Sequence, residues 1–240
     1  MKNIFTIGLL WVLFSQFVFS QNREHIDGGH FIKRIEYNLK SQFDSTNNLD
    51  SRGSIGKLFF GDFNTPVEFS YLPSSTAAMN KELISAFRIV NNSSNILEVK
   101  YISNYEEADK EAKKKYPMSF QLSMEHEHNK VALAKQHEEM LILYKVETLS
   151  FPISKRFADI LYQKMVSLID NFKAKGAPPI YFGGYSVLFR NVVDDEVWSL
   201  RINEPKGDAL KMSDLCRQII TDAIDNKMDE EKYISVLDIF

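Results

Sequence analysis

The sequence predicts an α+β fold: a mainly antiparallel sheet built from hairpins, with two or three amphipathic helices packed on one of its faces. Three observations carry that expectation. Strand-like segments come in adjacent pairs, not in strict strand–helix alternation. Two of those pairs flank short polar loops of hairpin length. One long segment after Ser154 places its apolar residues at helical spacing and needs a surface to cover them.

The first twenty residues read as a cleaved secretory signal. Met1-Lys2-Asn3 is a short positive start, Ile4 to Phe19 is apolar apart from Thr6, Ser15 and Gln16, and Val18-Phe19-Ser20 offers small residues before the polar Gln21-Asn22-Arg23-Glu24. A membrane-spanning helix needs about 20 apolar residues, and this run is shorter and interrupted. The expected mature chain, Gln21 to Phe240, contains no other segment of spanning length. The organisation expected is a signal peptide over 1–20, a polar leader and linker over 21–56 that is partly ordered, and a single α+β domain over 57–240. The expected location is the periplasm or the exterior.

Within the leader, residues 31–43 fit two patterns. Phe31, Ile35, Leu39 and Phe43 repeat every four residues, as in a helix; Ile35, Tyr37 and Leu39 alternate, as in a strand. Asp44 to Gly56 is rich in Asp, Ser, Asn and Gly and reads as a linker. Lys57-Leu58-Phe59-Phe60 and Val67 to Tyr71 read as short aromatic strands. Ala86–Val90 and Ile96–Ile102 make the first hairpin around Asn91 to Asn95, with Leu97, Val99 and Tyr101 alternating with Glu98 and Lys100. Asn104 offers an N-cap to a helix bearing Tyr105, Ala108, Ala112 and Tyr116 on one face. Glu106–Lys110 and Glu111–Lys115 are spaced as i,i+4 pairs, and Lys113-Lys114-Lys115 suits a helix C-terminus.

Residues 118–140 fit no single pattern, and Leu141 to Leu149 reads as a strand. Ser154 then opens the clearest helix, with Phe157, Ile160, Leu161, Met165, Leu168, Ile169 and Phe172 on one side. Gly176 and Pro178-Pro179 end it. Tyr185–Phe189 and Val197–Ile202 make the second hairpin, with Trp198, Leu200 and Ile202 on one face. Ser213 caps a helix carrying Leu215, Cys216, Ile219, Ile220, Ala223 and Ile224, and a short tail helix places Tyr233, Leu237 and Phe240 together.

A formal charge of −3 and a pI near 6.0 leave no basic footprint for nucleic acid, which is not an expected partner. A lone Cys216 cannot form an internal disulfide and reads as a small buried apolar group. There is no P-loop and no G-x-G-x-x-G, so no cofactor is expected. Gly184-Tyr185-Ser186-Val187-Leu188 resembles a nucleophile elbow only superficially, because Leu188 replaces the second glycine.

Three groups remain as candidates. Arg190, Glu196 and Arg201 lie in one hairpin beside Trp198, and two guanidiniums with an aromatic ring suit a carboxylate, a phosphate or a sugar face. They also suit cross-strand charge pairs. His126, His128 and His137, among Glu125, Glu127, Glu138 and Glu139, are the densest set of metal-ligating types, although the H-E-x-x-H spacing is absent. His25, Asp27 and His30 form a smaller cluster near the expected new N-terminus. The function expected is that of an exported, non-enzymatic binding or envelope-associated domain with a small-molecule or protein partner. The alternatives are an exported hydrolase with a spatially assembled site, and a metal-binding protein using the His/Glu cluster.

Overall fold

A computed structural model describes residues 52–61, 63–74, 82–91, 93–118, 126–173, 184–194 and 196–239, together with the backbone of 31–37; of 126–127, too, the backbone alone is described. Residues 1–30, with His25, Asp27 and His30 among them, residues 38–51, Gly176, Pro178-Pro179 and Phe240 lie outside them.

Among the described residues seven strands form one antiparallel sheet: β1 (Phe31–Tyr37), β2 (Val67–Pro73), β3 (Ser85–Asn91), β4 (Asn95–Ile102), β5 (Val146–Pro152), β6 (Tyr185–Val193) and β7 (Glu196–Asn203). Their order is β1-β7-β6-β2-β3-β4-β5, with every neighbouring pair antiparallel. The helices are α1 (Gly53–Phe60), α2 (Tyr105–Lys115), α3 (His126–Leu143), α4 (Lys155–Asn171), α5 (Asp208–Ile224) and α6 (Glu230–Asp238). The α+β class and the antiparallel sheet are as the sequence pattern predicts, and both hairpins sit where the polar loops place them.

Alternation decides the two faces of the sheet. Val67, Phe69, Tyr71, Phe87, Ile89, Leu97, Val99, Val187, Phe189, Leu200 and Ile202 point to the front, where α4, α5 and α6 cover them in one core. Phe157, Leu161, Met165 and Ile169 of α4 are fully buried there, while Ile160, Leu168 and Phe172 pack at its margin. Burying those four side chains contributes roughly 6–12 kcal/mol gross, at about 1.5–3 each. Ser154 caps the helix, its Oγ accepting from Phe157 N at 3.1 Å. The Ser154 amide and hydroxyl in turn donate to Glu230, which ties the start of α6 to the start of α4.

The back face carries a second, smaller core of Phe59, Phe60, Ile84, Ala86 and Ile102. Phe59 and Phe60 therefore belong to a helix, not to the strand their aromatic run suggests. A four-residue apolar run does not distinguish the two states; docking on Ala86 and Ile102 does. The segment expected to be a linker up to Gly56 is helical from Gly53. Gly53 adopts φ +66°, and a Cβ on Gly56 would stand 2.6 Å from the Arg52 Cβ, so the first turn closes only with glycine there.

Other local expectations shift for identifiable reasons. Residues 31–37 resolve as the edge strand β1. Of the undecided 118–140 stretch, residues 126–140 lie in α3, which runs to Leu143 and displaces the strand start from Leu141 to Val146, and 119–125 lie outside the described residues. The Asn104 side chain does not cap α2; its Nδ2 donates to Leu143 O at 3.0 Å and its Oδ1 accepts from Lys145 N at 2.7 Å, clamping the end of α3 beside the start of α2. Ser213 lies inside α5, because Gly207 at φ +59° starts that helix six residues earlier. Lys115 pairs with Glu139 of α3 at 2.7 Å, and Asp109–Lys113 at 2.6 Å is an i,i+4 pair of α2.

Candidate functional site

Strand parity puts Arg190, Glu68, Arg88 and Glu98 on the back face. Register then sets Glu68 opposite both Arg190 and Arg88, and Arg88 opposite Glu98. The result is a transverse row of alternating charge across β6, β2, β3 and β4. Arg190 is 1% exposed and Glu68 and Arg52 are 3% each, so water does not solvate this end of the row. Its members solvate one another. Arg52 Nε donates to Glu68 Oε2 at 2.9 Å and Arg52 Nη2 to Oε1 at 2.6 Å. Arg190 Nη1 donates to the same Oε1 at 3.2 Å, and its Nη2 donates to Asn64 Oδ1 at 2.5 Å. The Thr65 amide and hydroxyl complete the shell at 3.3 Å each.

The row also holds α1. The last carbonyls of that helix carry partial negative charge and lack intrahelical donors. Lys100 Nζ donates to Phe59 O at 2.6 Å, Arg88 Nη1 reaches Phe60 O at 3.5 Å, and Arg52 Nη1 donates to Gly61 O at 3.0 Å. The Phe60 ring centroid lies 5.0 Å from the Arg88 guanidinium and 5.7 Å from Lys100 Nζ. Arg88 and Lys100 share Glu98, each at 3.1 Å.

The candidate anion-binding trio is thus divided. Arg190 is a core residue with its guanidinium directed at Glu68 and Asn64. Arg201 lies on the same back face, half-buried, and donates to Arg52 O at 3.3 Å. Glu196 points to the front, five positions before Arg201 on the same strand, and accepts from Trp198 Nε1 at 2.6 Å. The structure brings the two arginines to one face and sets Glu196 on the other. Glu68, Arg88, Glu98, Lys100 and Arg52 were missed in the sequence. For Glu68, Arg88, Glu98 and Lys100 the signal available was polar parity within strands whose apolar residues fill the opposite face; Arg52, which precedes α1, carries no such signal, and pairing them all requires the register.

The histidines occupy α3. His128 and His137 are exposed, and nine residues of helix set them about half a turn apart, on opposite sides. The His126 side chain lies outside the described residues. Among the described residues no group of three or more His, Cys, Asp or Glu side chains converges on a metal position. A groove of about 350 Å³ between α2 and α3 is lined by Glu111, Lys114, Lys115, Glu139 and Leu143, and Lys115 pairs with Glu139 across it.

A third polar cluster sits at the end of β2 and β6. The Tyr71 and Tyr185 rings meet at 5.1 Å, and the Arg217 guanidinium lies over them, 4.4 Å and 5.2 Å from their centroids. Tyr71 donates to Glu82. Burial pushes both phenols above their ordinary range, and burial also pushes the Cys216 thiol well up. These directions disfavour the ionised, nucleophilic forms.

What the sheet leaves unsatisfied lies at its β5 edge. Ile153 N donates to Asn95 O and Ser103 N to Lys145 O, both at 3.0 Å. The β4–β5 register continues that pairing through Leu97↔Phe151, Val99↔Leu149 and Tyr101↔Glu147. Odd-numbered residues of β5 therefore bond inward to β4, and the N–H and C=O groups of Val146, Thr148 and Ser150 point outward. Among the described residues no backbone group pairs with them. Glu147, Thr148 and Ser150 are exposed, and Ile142, four residues before the strand, is 78% exposed. Pro152 ends the outward row without an N–H. β5 itself bears no lysine, a common guard of such edges. No protein-family model, curated protein or solved structure matches this chain.

Proposed function

We propose that the chain is an exported, non-enzymatic binding domain that takes an extended segment of a protein partner along the β5 edge. The observation that carries this reading is the outward row of backbone groups at Val146, Thr148 and Ser150, unpaired among the described residues. An added strand satisfies such a row directly, main chain giving affinity and alternate side chains giving selectivity. Export is supported by the apolar leader over 1–20. A non-enzymatic role is supported by the chemistry of the described titratable groups: burial moves Cys216 and the shifted tyrosines away from nucleophilic forms, and the Arg190–Glu68–Arg52 cluster is occupied in holding α1.

A photo-crosslinking residue placed at Thr148 in cells tests the reading, with the exposed Gln163 of α4 as control. The expected result is a discrete protein adduct at Thr148 and none at Gln163, in the exported fraction, with export lost on deleting residues 1–20. No adduct at Thr148, or equal labelling at both positions, refutes the edge as the binding surface. Retention inside the cell with residues 1–20 intact refutes export.

A further inference from the structure

Resting on that edge reading, we infer that the strand β5 accepts is β5 of a second copy of this chain, running antiparallel about a dyad at Thr148. The inference follows from which registers the sequence of the edge permits. Outward residues must face outward residues, so even-numbered positions pair with even-numbered ones. A dyad at Glu147 sets two carboxylates directly opposite each other, which is unfavourable. A dyad at Leu149 sets Val146 against Pro152, which has no N–H to give. A dyad at Thr148 pairs Val146 with Ser150 and Thr148 with itself. It uses every outward donor and acceptor of those residues, and it sets Glu147 opposite Leu149 instead of opposite its own copy.

This arrangement is isologous: each copy presents the same surface and the contact closes after two chains. The two sheets join into one through β5, and the β5 edge of each disappears while β1 remains an edge strand. Thr148 and Ser150 are exposed on the back face, and Leu149 and Phe151 are only half-buried on the front, so side chains on both faces gain cover on pairing.

The test uses the purified protein and two classes of variant. Thr148→Pro removes the central outward N–H while leaving the inward ladder to β4 intact, and Thr148→Lys places a charge at the dyad. Sedimentation equilibrium over a dilution series is expected to give a concentration-dependent dimer for the unmodified chain. Both variants should weaken it at least tenfold, with circular dichroism unchanged. Thr148→Cys should form a disulfide-linked dimer on oxidation, because directly opposed residues of a hydrogen-bonded pair stand about 5.5 Å apart, within the span of a disulfide. Glu147→Cys should not. Cys216 is buried and does not interfere.

A chain that stays monomeric at every concentration overturns the inference, as does a dimer that both Thr148 variants leave intact. Crosslinking at Glu147→Cys but not Thr148→Cys overturns the dyad. The photo-adduct separates the two readings. An adduct of Thr148 with a different protein, beside a monomeric purified chain, leaves edge binding standing and removes the second copy. The lack of any adduct removes both.

Discussion

Replacing Glu68 by Gln is the perturbation that most directly tests the interior of this protein. The Glu68 carboxylate receives two donors from Arg52, one from Arg190, and the amide and hydroxyl of Thr65. Both arginines are essentially fully buried. The amide introduced by Glu68→Gln keeps the shape of the side chain but removes its charge and presents an NH₂ to groups that are themselves donors. Two buried guanidiniums then lose the carboxylate they share. Removing one partner from a buried ion pair costs about 3–5 kcal/mol, because the desolvated charge left behind is uncompensated. For a domain of this size that corresponds to a fall in Tm of roughly 6–20 °C, at about 2–4 °C per kcal/mol. Urea unfolding followed by far-ultraviolet circular dichroism measures the loss, and the slope should be unchanged if only stability is affected. A cost below about 1 kcal/mol would falsify the reasoning, since it would mean that water reaches Arg52 and Arg190 once the carboxylate is gone.

Other parts of the molecule give further expected outcomes. Tyr233 OH donates to Asp222 Oδ2 at 2.7 Å and its ring meets Phe157 at 5.7 Å, so Tyr233→Phe should keep the ring contact and lose about 1–2 kcal/mol in the same unfolding assay; no loss would show that the hydrogen bond does not help dock α6. Burial raises the Asp222 pKa, but donors on Tyr233, Gln218 and Lys232 outweigh it and hold the carboxyl below its ordinary value. Its contribution to stability is therefore complete above the ordinary carboxylate range and is lost as pH falls through the depressed folded value. Asp222→Asn should flatten the acid limb of a stability–pH profile, and an unaltered limb would contradict the assignment. Trp198 packs at the margin of the front core and is half-buried, so Trp198→Ala should cost about 2 kcal/mol, below the range for a fully buried tryptophan; a loss above about 4 kcal/mol would place it in the core proper. Cys216 should resist thiol reagents in the folded protein and react only on unfolding; rapid labelling under native conditions would contradict its burial.

What could be read from the residues in order was whatever depends on near neighbours. The polar turns between Asn91 and Asn95 and between Val193 and Glu196 fix two hairpins, because a short polar turn brings adjacent strands together without help from elsewhere. Phe157, Leu161, Met165 and Ile169 fix α4 and its buried side because their spacing is a property of one helix. Burial of Cys216 and the α+β class follow from the same local periodicities. The tertiary structure alone decided the rest, because those features depend on which distant segments become neighbours. Lys57 to Phe60 is a helix only because Ala86 and Ile102 offer a seat and because Arg52, Arg88 and Lys100 satisfy its last carbonyls. Arg190 is a core residue only because register places Glu68 across from it and Asn64 beside it. The exposed row at Val146, Thr148 and Ser150 exists only because β5 is the last strand in the order. A charge pattern or a strand can be recognised along the chain, but a partner 122 residues away in sequence, as Glu68 is from Arg190, is set by the closing of the sheet.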